Sequence, residues 1–366
     1  MKKKLLAVIM AVVLTGSMLA GCSSSGDSGS TTTEKSESSK SSDTRTVTDS
    51  DGKEVTIPKN VTKVAPTIGA FAQVTEMLTN GNGKIAAAVT QQISDDFKSV
   101  FKDYEKSNPK NYDSSSVEDL IAAGVQVAYG PSSMFTDEQL KQLEEAGIVY
   151  VNINSIEDSE GIMKCFQIIG NILGEEESER AEKFVQYYKK NIQDAQKRTE
   201  SVKDEDKVKV IRLGAEGSNY TTVNKTDIFN SIVKEAGGIN VAENYEAKGD
   251  GGGQSGLTVD TEQIVSWNPD VIITLDQNTA DKIKSDPALA SVKAVKEGKV
   301  YNSPTGLYLW GVRSGENAMM PQWLGQKLYP DLFSDLDMED VVIKFYKDWY
   351  NTDIDSKKAA SILAGQ

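Results

Sequence analysis

Two glutamates in matched surroundings, 144 positions apart, are the residues whose placement most constrains the chemistry of this chain. Ser116 to Tyr129 reads SVEDLIAAGVQVAY and Asp260 to Ile273 reads DTEQIVSWNPDVII, so Glu118 and Glu262 hold the same place in each copy. Ser116 or Asp260 is a good N-cap two residues earlier, which puts each carboxylate in the first turn of a helix. The helix dipole favours an acid there by about 0.3–1 kcal/mol, a sufficient reason for either glutamate alone. A spacing of one lobe's length predicts more: two similar lobes, each displaying one acid to a two-fold partner.

The remaining inventory narrows the chemistry. There is no histidine, which excludes Ser-His-Asp and Cys-His catalysis and the usual zinc sites. The two cysteines, Cys22 and Cys165, permit no disulfide framework, and Cys165 lies in the helical apolar pattern KCFQIIGNIL as an expected buried, inert thiol. A net charge of −14 argues against nucleic acid, which requires a basic stripe. Acids are plentiful, so composition leaves a carboxylate-based hydrolase open. Acids on separate lobe rims, rather than within about 10 Å of each other in one pocket, weigh against it.

Only five of the forty basic residues are arginine. Arg212 is expected at a strand end and Arg313 in the loop LYLWGVRSG, where a planar guanidinium fork suits carboxylate or catecholate oxygens. The plainer readings are an ion pair within one lobe for Arg212 and a surface loop charge for Arg313. Tyr308 and Trp310 flank the same loop and suit either a ligand face or packing against C-terminal helices. Tyr129, at a strand end before Gly130-Pro131, and Tyr220 complete the candidate ligand contacts. The run KGDGGGQSG lacks the phosphate-loop pattern and is expected to be a flexible loop.

These residues depend on an α/β framework. RTVTDSDGKEVTIP predicts a hairpin turning at Asp51-Gly52. TKVAP, KIAAAV, VQVAYG and IVYVNIN predict strands of a mostly parallel sheet with crossover helices. Asp158 to Val202 is helical in pattern with a break at Gly174, after which Ala181, Phe184, Val185, Tyr188, Ile192 and Ala195 form one stripe. The second lobe repeats the order with VKVIRLG, TDIFNSIVKEAGG, the copied glutamate helix, DVIITL and KVYNSP. Gly81, Gly83, Gly237 and Gly238 are expected as left-handed caps after the first helix of each lobe. Ligands of such sheets bind at the carboxyl edge of the strands. The candidate loops are therefore 67–71, 90–92, 129–133 and Asn154 in one lobe, and 212–220, 276–278 and 305–313 in the other.

The N-terminus carries an address. Lys2 to Lys4, an apolar run from Leu5 to Leu14 and the ending Leu-Ala-Gly-Cys predict a secretory signal over residues 1–21, too short to span a bilayer. The ending matches a bacterial lipobox, which implies cleavage before Cys22 and a lipid on its sulfur. Residues 22–44 are dominated by Ser and Thr, cannot offset their ordering entropy by burial, and read as a tether reaching about 25 Å. The expected domains are an N-terminal lobe over 45–173, a connecting helix over 174–204, and a C-terminal lobe with C-terminal helices over 205–366.

The hairpin TVTDSDGKEVTIP, the segments IIGNILGEEESERAEKF and IVKEAGGINVAEN, the paired glutamate helices and the ending WLGQKLYPDLF together resemble the substrate-binding lipoproteins of ABC importers for iron-siderophores and cobalamin. The resemblance covers nearly all of the chain after the tether. It implies two Rossmann-like lobes joined by one rigid helix, with a ligand cleft between them and no enzymatic activity. It implies that Glu118 and Glu262 pair with arginines of two permease subunits. The expected protein is a monomer on the outer face of the cytoplasmic membrane, held by its lipid alone and needing no cofactor. It would capture a siderophore-like metal chelate for an ABC permease dimer and its ATPase, with cobalamin, then haem or a molybdate-type oxyanion, as other cargoes.

Overall fold

The computed structural model describes residues 43–154, 157–247, 252–253 and 256–366; the signal segment, Cys22 and nearly all of the tether lie outside these residues. The expected hairpin is present as β1 (Thr44–Thr48) and β2 (Glu54–Pro58), antiparallel with Thr44 opposite Pro58. Gly52, at φ +81°, takes the left-handed position of its turn, and the Asp51 amide donates to Asp49 Oδ1 at 2.9 Å.

The first lobe is built on β3 (Val64–Pro66), α1 (Gly69–Thr79), α2 (Val117–Ala123), β4 (Val127–Gly130) and β5 (Val149–Asn152), the strands forming a parallel sheet in the order β3-β4-β5. KIAAAV is not a full strand; it contributes only bridges from Ile85 to Val64 and from Ala88 to Asp113. Its three alanines offer little of the side-chain packing that makes β-branched residues good strand formers.

Two helices follow, α3 (Ser159–Leu173) and α4 (Glu175–Thr199), broken at Gly174 as expected. Gly174 sits at φ +152°, and a Cβ there would lie 2.6 Å from Glu177 Oε2. The 25 residues of α4 extend about 37 Å. Glu175, Glu176 and Glu177 in its first turn and Lys197 and Arg198 in its last both complement the helix dipole.

The second lobe contains β6 (Lys209–Arg212), β7 (Gly214–Glu216), β8 (Asn219–Thr222), α5 (Ile228–Glu235), β9 (Ile239–Asn240), β10 (Gly252–Gly253), β11 (Gly256–Val259), α6 (Thr261–Trp267), β12 (Val271–Thr274) and β13 (Val300–Asn302). Its main sheet is parallel in the order β13-β12-β6-β9; β10-β11-β8-β7 form a second, antiparallel sheet without counterpart in the first lobe. Most of the glycine-rich run lies outside the described residues, but Gly252 and Gly253 pair with β11 rather than forming loop.

The duplication reaches into strand register. Val64 pairs with Val127 in one lobe and Val210 with Val271 in the other. Just before each second strand a polar residue locks the pair: Gln126 accepts from the Lys63 amide at 3.1 Å and Asp270 from the Lys209 amide at 2.8 Å. The expected glycine caps are partly replaced. Asn80, at φ +53°, caps α1 ahead of Gly81, and only Gly237 is left-handed after α5. Gly238 serves close packing instead, since a Cβ there would lie 2.8 Å from Leu328.

Strand alternation divides the core. Val64, Val127, Val210 and Val271 face one apolar core that runs through both lobes around α3 and α4. Ala65 and Ala128 face the side covered by α2, and Ile211 and Ile272 the side covered by α6. The chain ends in α7 (Met320–Leu328), α8 (Met338–Tyr350) and α9 (Ser356–Leu363). The last two, expected with the second lobe, contact both. Tyr350 meets Phe101 edge-on at 5.5 Å and bonds Gln73 of α1, and Lys358 pairs with Asp96 at 2.6 Å. On the other side the Thr305 amide donates to the Ile362 carbonyl at 3.1 Å.

Candidate functional site

The segment following β13, residues 304–316, is held from several sides by buried polar groups. Glu316 is fully enclosed: Oε1 accepts from the Leu307 amide at 3.0 Å and the Tyr346 hydroxyl at 3.1 Å, and Oε2 from the Tyr308 amide at 3.0 Å. Burial pushes its carboxyl up to about 7, against the opposing pull of these donors. Gly306 permits the approach, because a Cβ would lie 2.2 Å from Glu316 Oε1. Asn317 Nδ2 donates to the Trp310 carbonyl at 2.7 Å and Ser314 Oγ to the Leu309 carbonyl at 2.9 Å. From the first lobe, Gln73 Oε1 accepts the Gly315 amide at 2.8 Å.

This clamp carries Tyr308 to the opposite lobe. Its hydroxyl donates to Gln92 Oε1 at 2.8 Å, and the same oxygen accepts the Gly69 amide at 2.8 Å. Burial raises the phenol pKa; the nearby Arg313 charge and the Ala70 amide oppose the rise. No side chain at the N-cap position, Ile68, caps α1, so Gln92, held by Tyr308, satisfies the Gly69 amide that the helix leaves open. Gln92 is positioned in turn by Thr90, whose hydroxyl donates to Asp113 Oδ2 at 3.0 Å. Asp113 is partly buried, which works against ionisation, yet the Ser115 and Thr90 donors hold it below the usual carboxylate range.

Arg313 completes the constellation. Its guanidinium is partly buried, Nε is enclosed without a hydrogen-bond partner, and among the described residues it has no ion pair. A cation with unused donors, an aromatic hydroxyl and the nearby N-terminus of α1 together suit an anionic oxygen ligand. Three of the expected loops therefore converge: 67–71, 90–92 and 305–313.

Other expected contacts lie elsewhere. Tyr129 is fully buried, its hydroxyl bonded to Thr75, because strand alternation turns it into the shared core. Trp310 is also fully buried there, so it supports the loop from behind. Tyr220 is buried and donates to Asp286 Oδ2 at 2.9 Å. Arg212 forms a two-pronged ion pair with Asp227 at 3.0 and 3.3 Å, the plainer of its two readings. None of these four side chains is free to meet a ligand at Arg313. Asn154 lines a cavity of about 660 Å³ that also touches Lys164 of α3 and Lys189 of α4, apart from the Tyr308–Gln92 contact. Cys165 is buried as expected.

Glu118 and Glu262 are exposed in α2 and α6, two residues after the side-chain caps Ser116 and Asp260. The sequence points to Gln92 only as the end of the candidate loop 90–92, and to Gln73, Asp113, Glu316 and Asn317 not at all as site residues. The sole cue for Gln73 is a polar residue inside the apolar run GAFAQVTEML. Among the described residues no group of three or more His, Cys, Asp or Glu could hold a metal ion, and no helix is long and apolar enough to cross a membrane.

Residues 60–305 match the family model described as periplasmic binding protein. The chain is 27% identical over 337 residues to the uncharacterized ABC transporter substrate-binding lipoprotein YvrC of Bacillus subtilis, covering 91% of this chain and 100% of that one. It is 23% identical to the molybdate-binding protein MolA of Haemophilus influenzae, covering 86% and 93%. Among solved structures, a periplasmic solute-binding protein of Veillonella parvula superposes with a TM-score of 0.70 at 23% identity, covering 87% and 97%.

Proposed function

The chain belongs to the periplasmic binding protein family, the non-enzymatic solute-binding components that deliver small ligands to ABC permeases, and from that premise we propose that its cargo is an anionic metal chelate of the siderophore type. Arg313 carries this reading: a partly buried guanidinium with an enclosed, unpartnered Nε beside Tyr308, where the lobes meet. Leaving such a group unused costs about 1–3 kcal/mol or more, which a ligand carboxylate or catecholate would recover. The absence of a clustered metal-ligand set among the described residues supports a metal that arrives with its own donors.

The open end of α1 favours a second reading, a compact oxyanion of the molybdate type. Gln92 would yield the Gly69 amide to it, and the similar Haemophilus influenzae protein is a molybdate-binding protein. Quenching of tryptophan fluorescence with ferric siderophores, cobalamin, haem and molybdate distinguishes the two. We expect saturation by a ferric siderophore, with Arg313→Ala weakening it at least about tenfold and leaving the melting temperature unchanged. Saturation by molybdate alone selects the oxyanion, and binding of none removes both readings.

A lipid on Cys22 would hold the protein at the outer face of the cytoplasmic membrane through the Ser/Thr-rich segment. Intact-mass measurement of membrane-extracted protein checks this: the acyl mass should disappear in Cys22→Ser. At the permease, Glu118 and Glu262 are the proposed docking acids, their matched first-turn placement supporting the assignment.

A further inference from the structure

Five large apolar side chains are more than a third exposed among the described residues, and two of them, Ile121 at 49% and Val265 at 37%, are repeat equivalents. Each lies three residues after its lobe's glutamate, so Glu118 and Ile121 share one outward face of α2 as Glu262 and Val265 share one of α6. The next position on that face is small and exposed in both, Ala122 and Ser266. Inward, Leu120 and Ile264 are fully buried at matched positions. A single exposed aliphatic residue means nothing by itself. Met134, Ile239 and Leu332 are the other three, and Ile239 corresponds by strand register to Lys84, a charged residue.

We infer that Ile121 and Val265 form a second, apolar half of the permease-docking surface, each aliphatic side chain seating in a pocket next to the cation that meets its glutamate. This rests on the docking reading of Glu118 and Glu262 and adds the class of contact made beside them. The occupant is a two-fold permease dimer, since the two faces agree in residue type, in helical offset and in their place against equivalent sheets. Two copies of one pocket on two like subunits would answer two copies of one face. The acid supplies salt-dependent attraction and orientation, while the aliphatic contact supplies attraction that salt does not screen. The small residue one position further lets the partner approach the helix closely.

The test measures binding of the full-length protein to its cognate permease–ATPase complex in lipid nanodiscs, at low and high salt. The pair Ile121→Ser and Val265→Ser should weaken binding by about tenfold per lobe and leave the salt dependence unchanged. The pair Glu118→Gln and Glu262→Gln should weaken it and flatten the salt dependence. Loss with the glutamine pair alone overturns the apolar contact and leaves the docking reading standing; no loss with the glutamine pair overturns that reading itself. Circular dichroism and melting temperature verify folding. Photo-crosslinkers at 121 and 265 give a second measurement independent of the serine variants. Crosslinks to both permease subunits, absent from position 332, support the inference; crosslinks to a second copy of this chain overturn it.

Discussion

At the residue scale, two buried carboxyls differ in what surrounds them. Glu316 gathers three donors and so anchors the loop that bears Tyr308 and Arg313. Glu76, fully buried on α1, has no partner for either oxygen, and burial with the nearby Asp103 charge pushes its carboxyl up to about 8. Tyr104 and Tyr129 are the other titratable groups it acts on. Between about pH 4.5 and 8 the folded chain keeps a proton at Glu76 that the unfolded chain has released. That contribution is complete below the unfolded pKa and is lost as pH rises through the folded one. Its slope approaches about 1.4 kcal/mol per pH unit inside the window. Glu316 adds a like slope up to about pH 7, whereas Asp113 and Asp270, held low, act at more acid pH. Glu76→Gln should therefore reduce the fall in melting temperature between pH 5 and 8. A scan in which the variant follows the parent at every pH would refute the assignment.

At the element scale, the loop 304–316 shows how a site can be hidden in a sequence whose elements are legible. Short runs of wholly buried residues reveal β3, β4 and β12, and helical patterning reveals α4, because two-sided burial of a strand and one-sided burial of a helix each leave a trace in residue type. The repeated glutamate helices are visible because α2 and α6 cover the same side of the sheet in each lobe. The clamp around Tyr308 leaves no such trace. Gln73 and Gln92 act singly and have their meaning only once the lobes are placed together, and Glu316 only once the loop before it folds back onto its carboxyl. For the same reason Trp310 and Tyr129 mislead: an aromatic at a strand end or in a loop has two sides to choose from, and here the shared core takes both. The glycine at 306 is the most exacting position of the loop. Gly306→Ala would press a methyl against Glu316 and Tyr346, with an expected loss of about 1–3 kcal/mol in denaturant unfolding. Ligand affinity should fall with it, as the loop moves Arg313; full stability in the alanine variant would show that the loop is less tightly clamped.

For the whole molecule, the two lobes are matched in their sheets and in α2 and α6 but unmatched where they meet. The antiparallel sheet belongs to the second lobe only, and the contact between Tyr308 and Gln92 has different residues on its two sides. The duplicated glutamates face outward, whereas the Tyr308–Gln92 contact between the lobes is built from unmatched residues. Sequence repeats thus report the first and are silent on the second. The joint also has a second strut, the pair α8–α9, which packs on α4 through Phe184 and Trp349 and touches the first lobe at Phe101, Gln73 and Asp96 and the second at Thr305. That second strut imposes an order on biosynthesis. Each lobe can assemble its sheet as its own residues emerge, but the face of α1 that receives Tyr350 stays bare until residues 338–363 have been made. A chain interrupted before Met338 would hold its two sheets with an apolar seam uncovered, a form recognisable to the proteases and chaperones that police unfinished proteins.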